Sequence, residues 1–190
     1  MYDLHSILIQ LKKEDTPLHG VMVRCVRCFY QWLDPTLWEG SALFELWAQE
    51  LELIYGDLRQ RLSPNAKTDA GSLGDRFGFD TPPELPRLLQ SIQTFYSVLI
   101  KLIAWNTLRG AAPEPPLTEL LSGRAFVNRG IRNFCGDDWY IWPLDVWDPT
   151  LETQCEELRA CLEAFDTCPE GSVLSPDSLS RIYETVVPPA

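Results

Sequence analysis

From Glu84 to Arg109 the chain places apolar side chains on almost every side of a helix. The series is Leu85, Leu88, Leu89, Ile92, Phe95, Tyr96, Val98, Leu99, Ile100, Leu102, Ile103 and Trp105. A helix that is apolar all round has no solvated stripe, so other elements must enclose it. The pattern therefore predicts a central buried helix over 84–109, with amphipathic helices packed around it. Lys101 falls inside this run. Its stem is expected to pack while its amine reaches water. No uninterrupted run of about eighteen apolar residues occurs, so no membrane-spanning helix is expected.

The surrounding periodicity is also helical. Leu4, Ile7, Leu8 and Leu11 mark a short first helix. A second is predicted over Thr16 to Leu33, with Val23, Val26, Phe29, Tyr30 and Leu33 inward and Asp34-Pro35 ending it. Phe44, Trp47, Leu51, Ile54, Leu58 and Leu62 trace another stripe. Pro113, Pro115 and Pro116 form a linker that divides residues 1–112 from 113–190, and Pro116-Leu117 can start a short helix to Leu121. Leu151, Cys155, Leu158, Leu162 and Phe165 give a further stripe. Ser175-Pro176 opens a last helix, with Leu179, Ile182, Tyr183 and Val186 inward. Two segments break the helical rhythm. Residues 63–86 are rich in Gly and Pro and read as a mobile connection or a partner-holding segment. Residues 130–147 read as an irregular or briefly extended lobe packed by Trp139, Trp142 and Trp147. The fold class is an all-α, irregular multi-helix bundle with a central buried helix and a Trp-rich lobe.

Charge narrows the function. A formal net charge of −11 repels phosphate, so the domain as a whole is a poor nucleic-acid grip. Basic residues cluster only at Lys12-Lys13 and, more loosely, at Arg124, Arg129 and Arg132. The N-terminus lacks the order of a secretory signal, which makes a cytoplasmic location the expectation. The six cysteines are spaced unlike a disulfide framework and read as reduced, partly buried thiols.

No stretch assembles catalytic groups by spacing. Cys25-Val-Arg-Cys28 is a C-x-x-C, but structural zinc sites need a second pair or two His. His19 with a distant ligand could complete a metal site. On a helix the two thiols share a face and pack. Asp137-Asp138 reads as capping or turn residues, because adjacent side chains diverge. Gly74 to Gly78 fits neither phosphate-binding glycine pattern.

Four segments together resemble a known family. L-L-Q-S-I-Q-T-F-Y-S-V-L-I-K-L-I-A, Leu88 to Ala104, contains Thr94, Phe95, Tyr96 and Lys101-Leu102 in a Thr-aromatic-Tyr, Lys-Leu arrangement. With it stand F-E-L-W-A-Q-E-L-E-L-I-Y-G (Phe44 to Gly56), G-I-R-N-F-C-G-D-D-W-Y-I-W-P-L (Gly130 to Leu144) and D-S-L-S-R-I-Y-E-T-V-V-P-P (Asp177 to Pro189). In this order they resemble the N-terminal helical region of bacterial adenine-specific N6 DNA methyltransferases of restriction-modification or phage-defence type. The resemblance spans most of the chain from about Phe29 onward. It implies a catalytic domain after the last segment, carrying the S-adenosylmethionine loop and the Asn-Pro-Pro-Tyr motif that holds a flipped adenine. Neither motif occurs here, since Thr81-Pro82-Pro83-Glu84 is not one.

The resemblance implies a non-catalytic helical domain without a cofactor of its own. It would scaffold the catalytic domain, position DNA indirectly, or dock a partner subunit. Tyr96 and Lys101 are then expected as a buried polar pair that either satisfies itself structurally or orients a neighbouring domain, and Arg129 and Arg132 as phosphate or partner contacts or as solvated charges. Trp139, Trp142, Tyr183 and Val186 are expected to form an exposed apolar patch that the catalytic domain covers. Two alternatives use other features. One is a stand-alone acidic interaction module or DNA mimic, motivated by the charge. The other is a small enzyme or metal protein using Cys25, Cys28 and a His.

Overall fold

A computed structural model describes residues 4–33, 49, 73–108, 110, 112–135, 140–164 and 176–186. Among them the regular structure is entirely helical. The helices are α1 (Leu4–Lys12), α2 (Pro17–Trp32), α3 (Leu85–Leu108), α4 (Leu117–Leu121), α5 (Arg124–Val127), α6 (Pro149–Glu163) and α7 (Pro176–Val186), with a 3-10 turn at Trp142–Leu144. The stripe from Phe44 to Leu62, Gln49 excepted, lies outside the described residues, as do Phe165 and the side chains of Leu179 and Tyr183.

Local chemistry sets the helix ends. Thr16 caps α2 by accepting the His19 N–H at 3.3 Å, and Pro17 sits where a missing N–H costs nothing. Asp148 does the same for α6, its Oδ1 accepting from Thr150 N at 3.0 Å and Leu151 N at 2.8 Å, with Pro149 behind it. The order follows from burial. α2 packs against both α6 and α3, α1 packs on α2 and α7, and α3 also meets α4, α6 and α7. Ile92, Phe95 and Leu99 are fully enclosed on α3, as are Met22 and Val26 on α2 and Leu151, Cys155 and Leu158 on α6. By length and composition α3 could cross a bilayer, but 78% of its most apolar window is buried against these neighbours.

Residues 73–86 correct the expectation of a mobile connection. Leu73–Arg76 make a helical turn, Phe77 is completely buried, and Phe79 N–H donates to Gly74 O at 3.0 Å. The segment is fastened to α2 by an alternation of cations and rings. Arg27 donates to Gly78 O at 2.9 Å and lies 5.7 Å from the Phe79 ring centre. Phe79 meets Tyr30 edge-on at 4.8 Å, and Arg87 lies 4.2 Å over Tyr30. Tyr30 Oη accepts the Glu84 N–H at 3.0 Å. Composition alone suggested looseness, whereas Phe77 and these contacts anchor the segment.

The described part of the lobe, residues 140–148, takes the irregular of the two expected forms, with turns around the 3-10 helix. Upstream of it, α5 was not anticipated. It begins after Gly123, whose φ of +79° lies in the left-handed region. The 131–135 loop folds back onto this glycine so closely that an added Cβ would sit 1.9 Å from Phe134 O. A backbone oxygen cannot turn aside as a side chain can. Gly123→Ala is therefore expected to cost roughly 3 kcal/mol through the left-handed backbone and the overlap. Urea unfolding with an unchanged m-value measures it.

Candidate functional site

Among the described residues, a polar line runs along α3. Thr94, Ser97 and Lys101 recur at helical spacing, so they share one face of a helix whose other faces are apolar. Thr94 is fully buried and Lys101 is 3% exposed. A buried polar side chain needs partners, and the lobe supplies them. Trp142 Nε1 donates to Thr94 Oγ1 at 2.9 Å, and Thr94 Oγ1 donates to Gln90 O at 2.8 Å. The hydroxyl thus uses both its acceptor and its donor capacity. At the preceding residue, Tyr140 Oη donates to Gln93 Oε1 at 2.7 Å. Trp142 also meets Phe29 of α2 edge-on at 5.9 Å, so one indole joins the lobe to two helices.

Lys101 contradicts the expectation that its amine reaches water. Its Nζ donates to Leu121 O at 2.9 Å. Leu121 ends α4, where carbonyls lack intrahelical partners and the helix dipole favours a cation. The α4 terminus therefore offers Lys101 what solvent would otherwise provide. Tyr96, five residues earlier, is half-buried. Beside Lys101 lies a cavity of about 10 Å³ lined by Ser97, Lys101, Leu121, Tyr140 and Pro143 among others. That is room for about one water, far below the roughly 300 Å³ at which organic ligands begin to be enclosed.

The remaining candidates separate. Arg129 is exposed, yet its Nη1 donates to Leu108 O at the end of α3, and its guanidinium lies 5.2 Å from the Trp105 ring centre. It closes the C-terminus of α3. Arg132 is exposed. The expected apolar patch is corrected at two of its four members. Trp142 is 1% exposed because Thr94 and Phe29 hold it inward, and Val186 is fully buried with Ile182 on the inner face of α7. Trp139 and the side chain of Tyr183 lie outside the described residues, as does Asp137-Asp138. Among the described residues, the exposed large apolar side chains are Ile9, Leu108 and Val127.

Cys25 and Cys28 pack as thiols between α2 and α6, where sequence spacing did not reveal Cys155 as their neighbour. All three are buried. Cys25 Sγ donates to Gln154 O at 3.5 Å. Burial pushes Cys28 up to about 11 and Cys155 up to about 12, and raises Cys25 well above the usual thiol range, with neighbouring thiols adding to Cys25 and Cys155. Such thiols are poor nucleophiles at neutral pH. Among the described residues no group of three or more His, Cys, Asp or Glu is arranged to hold a metal. His19 is 7% exposed, and burial and the nearby Arg76 lower its pKa. Arg76 itself donates to Thr185 O and so ties the 73–76 turn to α7.

No family model, curated protein or solved structure matches the chain.

Two measurements test this site. Thr94→Val leaves the Trp142 N–H unpaired and is expected to cost about 1–3 kcal/mol. In a cycle with Trp142→Phe, the second change is expected to cost less once the first is made, by at least about 0.5 kcal/mol. The thiols give a pH signature. Their folded pKa values lie above 9.0, so the native state keeps protons that the unfolded chain releases. Their contribution is complete below pH 9 and is lost as pH rises toward about 12. Urea midpoints at pH 8, 9.5 and 10.5 are expected to fall, and to fall less steeply in Cys155→Ala.

Proposed function

We propose that the chain is a non-catalytic helical platform, of the kind that precedes the catalytic domain in bacterial adenine-specific DNA methyltransferases. In this reading it scaffolds that domain, positions DNA indirectly, or docks a partner subunit. S-adenosylmethionine and the adenine pocket belong to the partner.

One observation carries the reading. Three of the four segments that resemble the family belong to a single packing unit. Leu88 to Ala104 lies within α3. Gly130 to Leu144 is joined to that helix through Tyr140–Gln93 and Trp142–Thr94. The described part of the last segment forms most of α7, which packs on α3 and α1. A polar residue in one segment and its partner in another explain physically why these segments would occur together. The unit is a support, because its polar groups are spent on holding elements in place. In this reading Trp142 and Val186 take no part in docking, since both are already covered.

Co-expression with the methyltransferase chain encoded nearest to it tests the proposal. The expected result is a stable complex and N6-adenine methylation at least about tenfold above that of the catalytic chain alone. No complex and no stimulation would refute it, as would the lack of any methyltransferase in the same reading frame or operon.

A further inference from the structure

α5 and the turn after it form a loop whose two ends touch. At its base Gly123 packs against the Phe134 carbonyl, and Cys135 Sγ donates to Gly123 O at 3.0 Å. Inside it Phe126 is fully buried, its ring centre 4.5 Å from that of Phe134 and 5.8 Å from that of Trp105. The far end is a glycine-terminated helix stop. Gly130, at φ +78°, donates its N–H to Val127 O at 2.9 Å, and Ile131 N–H donates to Phe126 O at 3.1 Å. The backbone is therefore shaped before anything binds, and what it offers a partner is its side chains.

The solvent side of this loop carries cations and no carboxylate. Arg124, Arg129 and Arg132 are exposed on it, and residues 120–135 contain no Asp or Glu in a chain of net charge −11. Arg124 Nε donates to Ser122 Oγ at 3.2 Å, and among the described residues neither Arg124 nor Arg132 is paired with a carboxylate. Arg129 is held more firmly, by Leu108 O and by the Trp105 ring 5.2 Å away. Three residues separate it from Arg132, so their Cα atoms lie within about 11 Å of each other. Apolar surface stands in the same place. Val127 shares a face of α5 with Arg124, and Leu108 lies beside Arg129. They are 43% and 38% exposed, two of the three large apolar side chains so placed among the described residues.

We propose that this loop docks an acidic segment of a partner protein, one in which carboxylates flank an apolar side chain. Arg124 and Arg132 take the carboxylates, Arg129 stands as a fixed third cation, and Val127 and Leu108 cover the apolar group. The cations call for an anion, and the apolar pair selects among anions. A duplex backbone offers phosphate without apolar bulk, whereas a protein segment offers both. The charge of −11 also opposes an extended polyanion along its whole length. A short segment responds to the local arginines, because charges beyond a Debye length of about 8 Å are screened. Arginine suits the task, since its planar fork binds carboxylate bidentately. The inference rests on the platform reading, to which it adds the place and the chemistry of docking.

The test is a titration of the full chain with the blocked peptide Gly-Asp-Leu-Glu-Asp-Leu-Glu-Gly, followed by amide NMR. Saturable shifts are expected at residues 124–133 and at Leu108. Changing the peptide's Leu residues to Ser, or its acids to Asn and Gln, is expected to weaken binding about tenfold. Raising salt from about 50 mM to about 300 mM is expected to weaken it severalfold. The Arg124→Gln/Arg132→Gln protein is expected to bind about tenfold more weakly at an unchanged thermal midpoint, since both side chains are exposed. No saturable shift, or equal affinity in that double variant, overturns the surface. Tighter binding of a short DNA duplex at the same residues overturns the protein occupant in favour of a phosphate backbone. The methyltransferase chain separates this inference from the platform reading. A complex with it that survives the double variant removes the surface and keeps the platform, while peptide binding without any complex does the reverse.

Discussion

The architecture depends on enclosing one helix that is greasy on most sides and polar along one line. α3 cannot present Thr94, Ser97 and Lys101 to a purely apolar neighbour, because an unmet buried hydroxyl or ammonium costs more than the packing around it returns. It cannot leave that line in water either, since Phe95, Leu99 and Leu102 beside it need cover. The 140–144 lobe resolves the conflict by bringing an indole N–H and a phenol hydroxyl to the polar line and hydrophobic bulk to its flanks. The end of α4 supplies a carbonyl for Lys101.

Other elements fall into place around that solution. α2 packs on both α3 and α6, and Phe29 touches the same Trp142 that serves Thr94. The 77–84 connection is pulled against α2 by Arg27 and Tyr30, so a Gly- and Pro-rich stretch becomes part of the wall. Arg129 covers the end of α3 and Arg76 ties down α7. Lys101, Arg129 and Arg76 each meet a backbone carbonyl of another element, Leu121, Leu108 and Thr185 in turn, so these cations are engaged in holding the bundle together.

Much of this was legible in the residues, and the failures have physical causes. The spans of α1, α2, α3, α4, α6 and α7 follow from apolar spacing and from Thr16-Pro17, Pro116 and Pro176, which mark starts. The enclosure of α3 follows from its pattern. The polar line within it was also readable, since Thr94, Ser97 and Lys101 repeat at helical spacing, but apolar bulk masked it. What spacing cannot show is which distant segment answers it. Nothing in the order of residues joins Trp142 to Thr94, Lys101 to Leu121, or Cys155 to Cys25. Trp142 and Val186 depart from the expected exposed patch for the same reason, because their cover comes from segments remote in the chain, although the inward spacing of Val186 on its own helix holds. Gly123 escaped notice because its necessity comes from Phe134 folding back, a tertiary contact.

The central claim is that α3 and the lobe form one cooperative unit through the Thr94–Trp142 bond. Native-state hydrogen exchange reads this directly, because the Trp142 indole N–H and the α3 backbone amides report separately. If the claim holds, the indole hydrogen and the amides of residues 94–102 exchange only by global unfolding, with equal opening free energies and equal denaturant dependence. An indole that exchanges by local opening while the α3 amides stay protected would contradict it, because the lobe would then be an ornament on the helix and no part of what holds it.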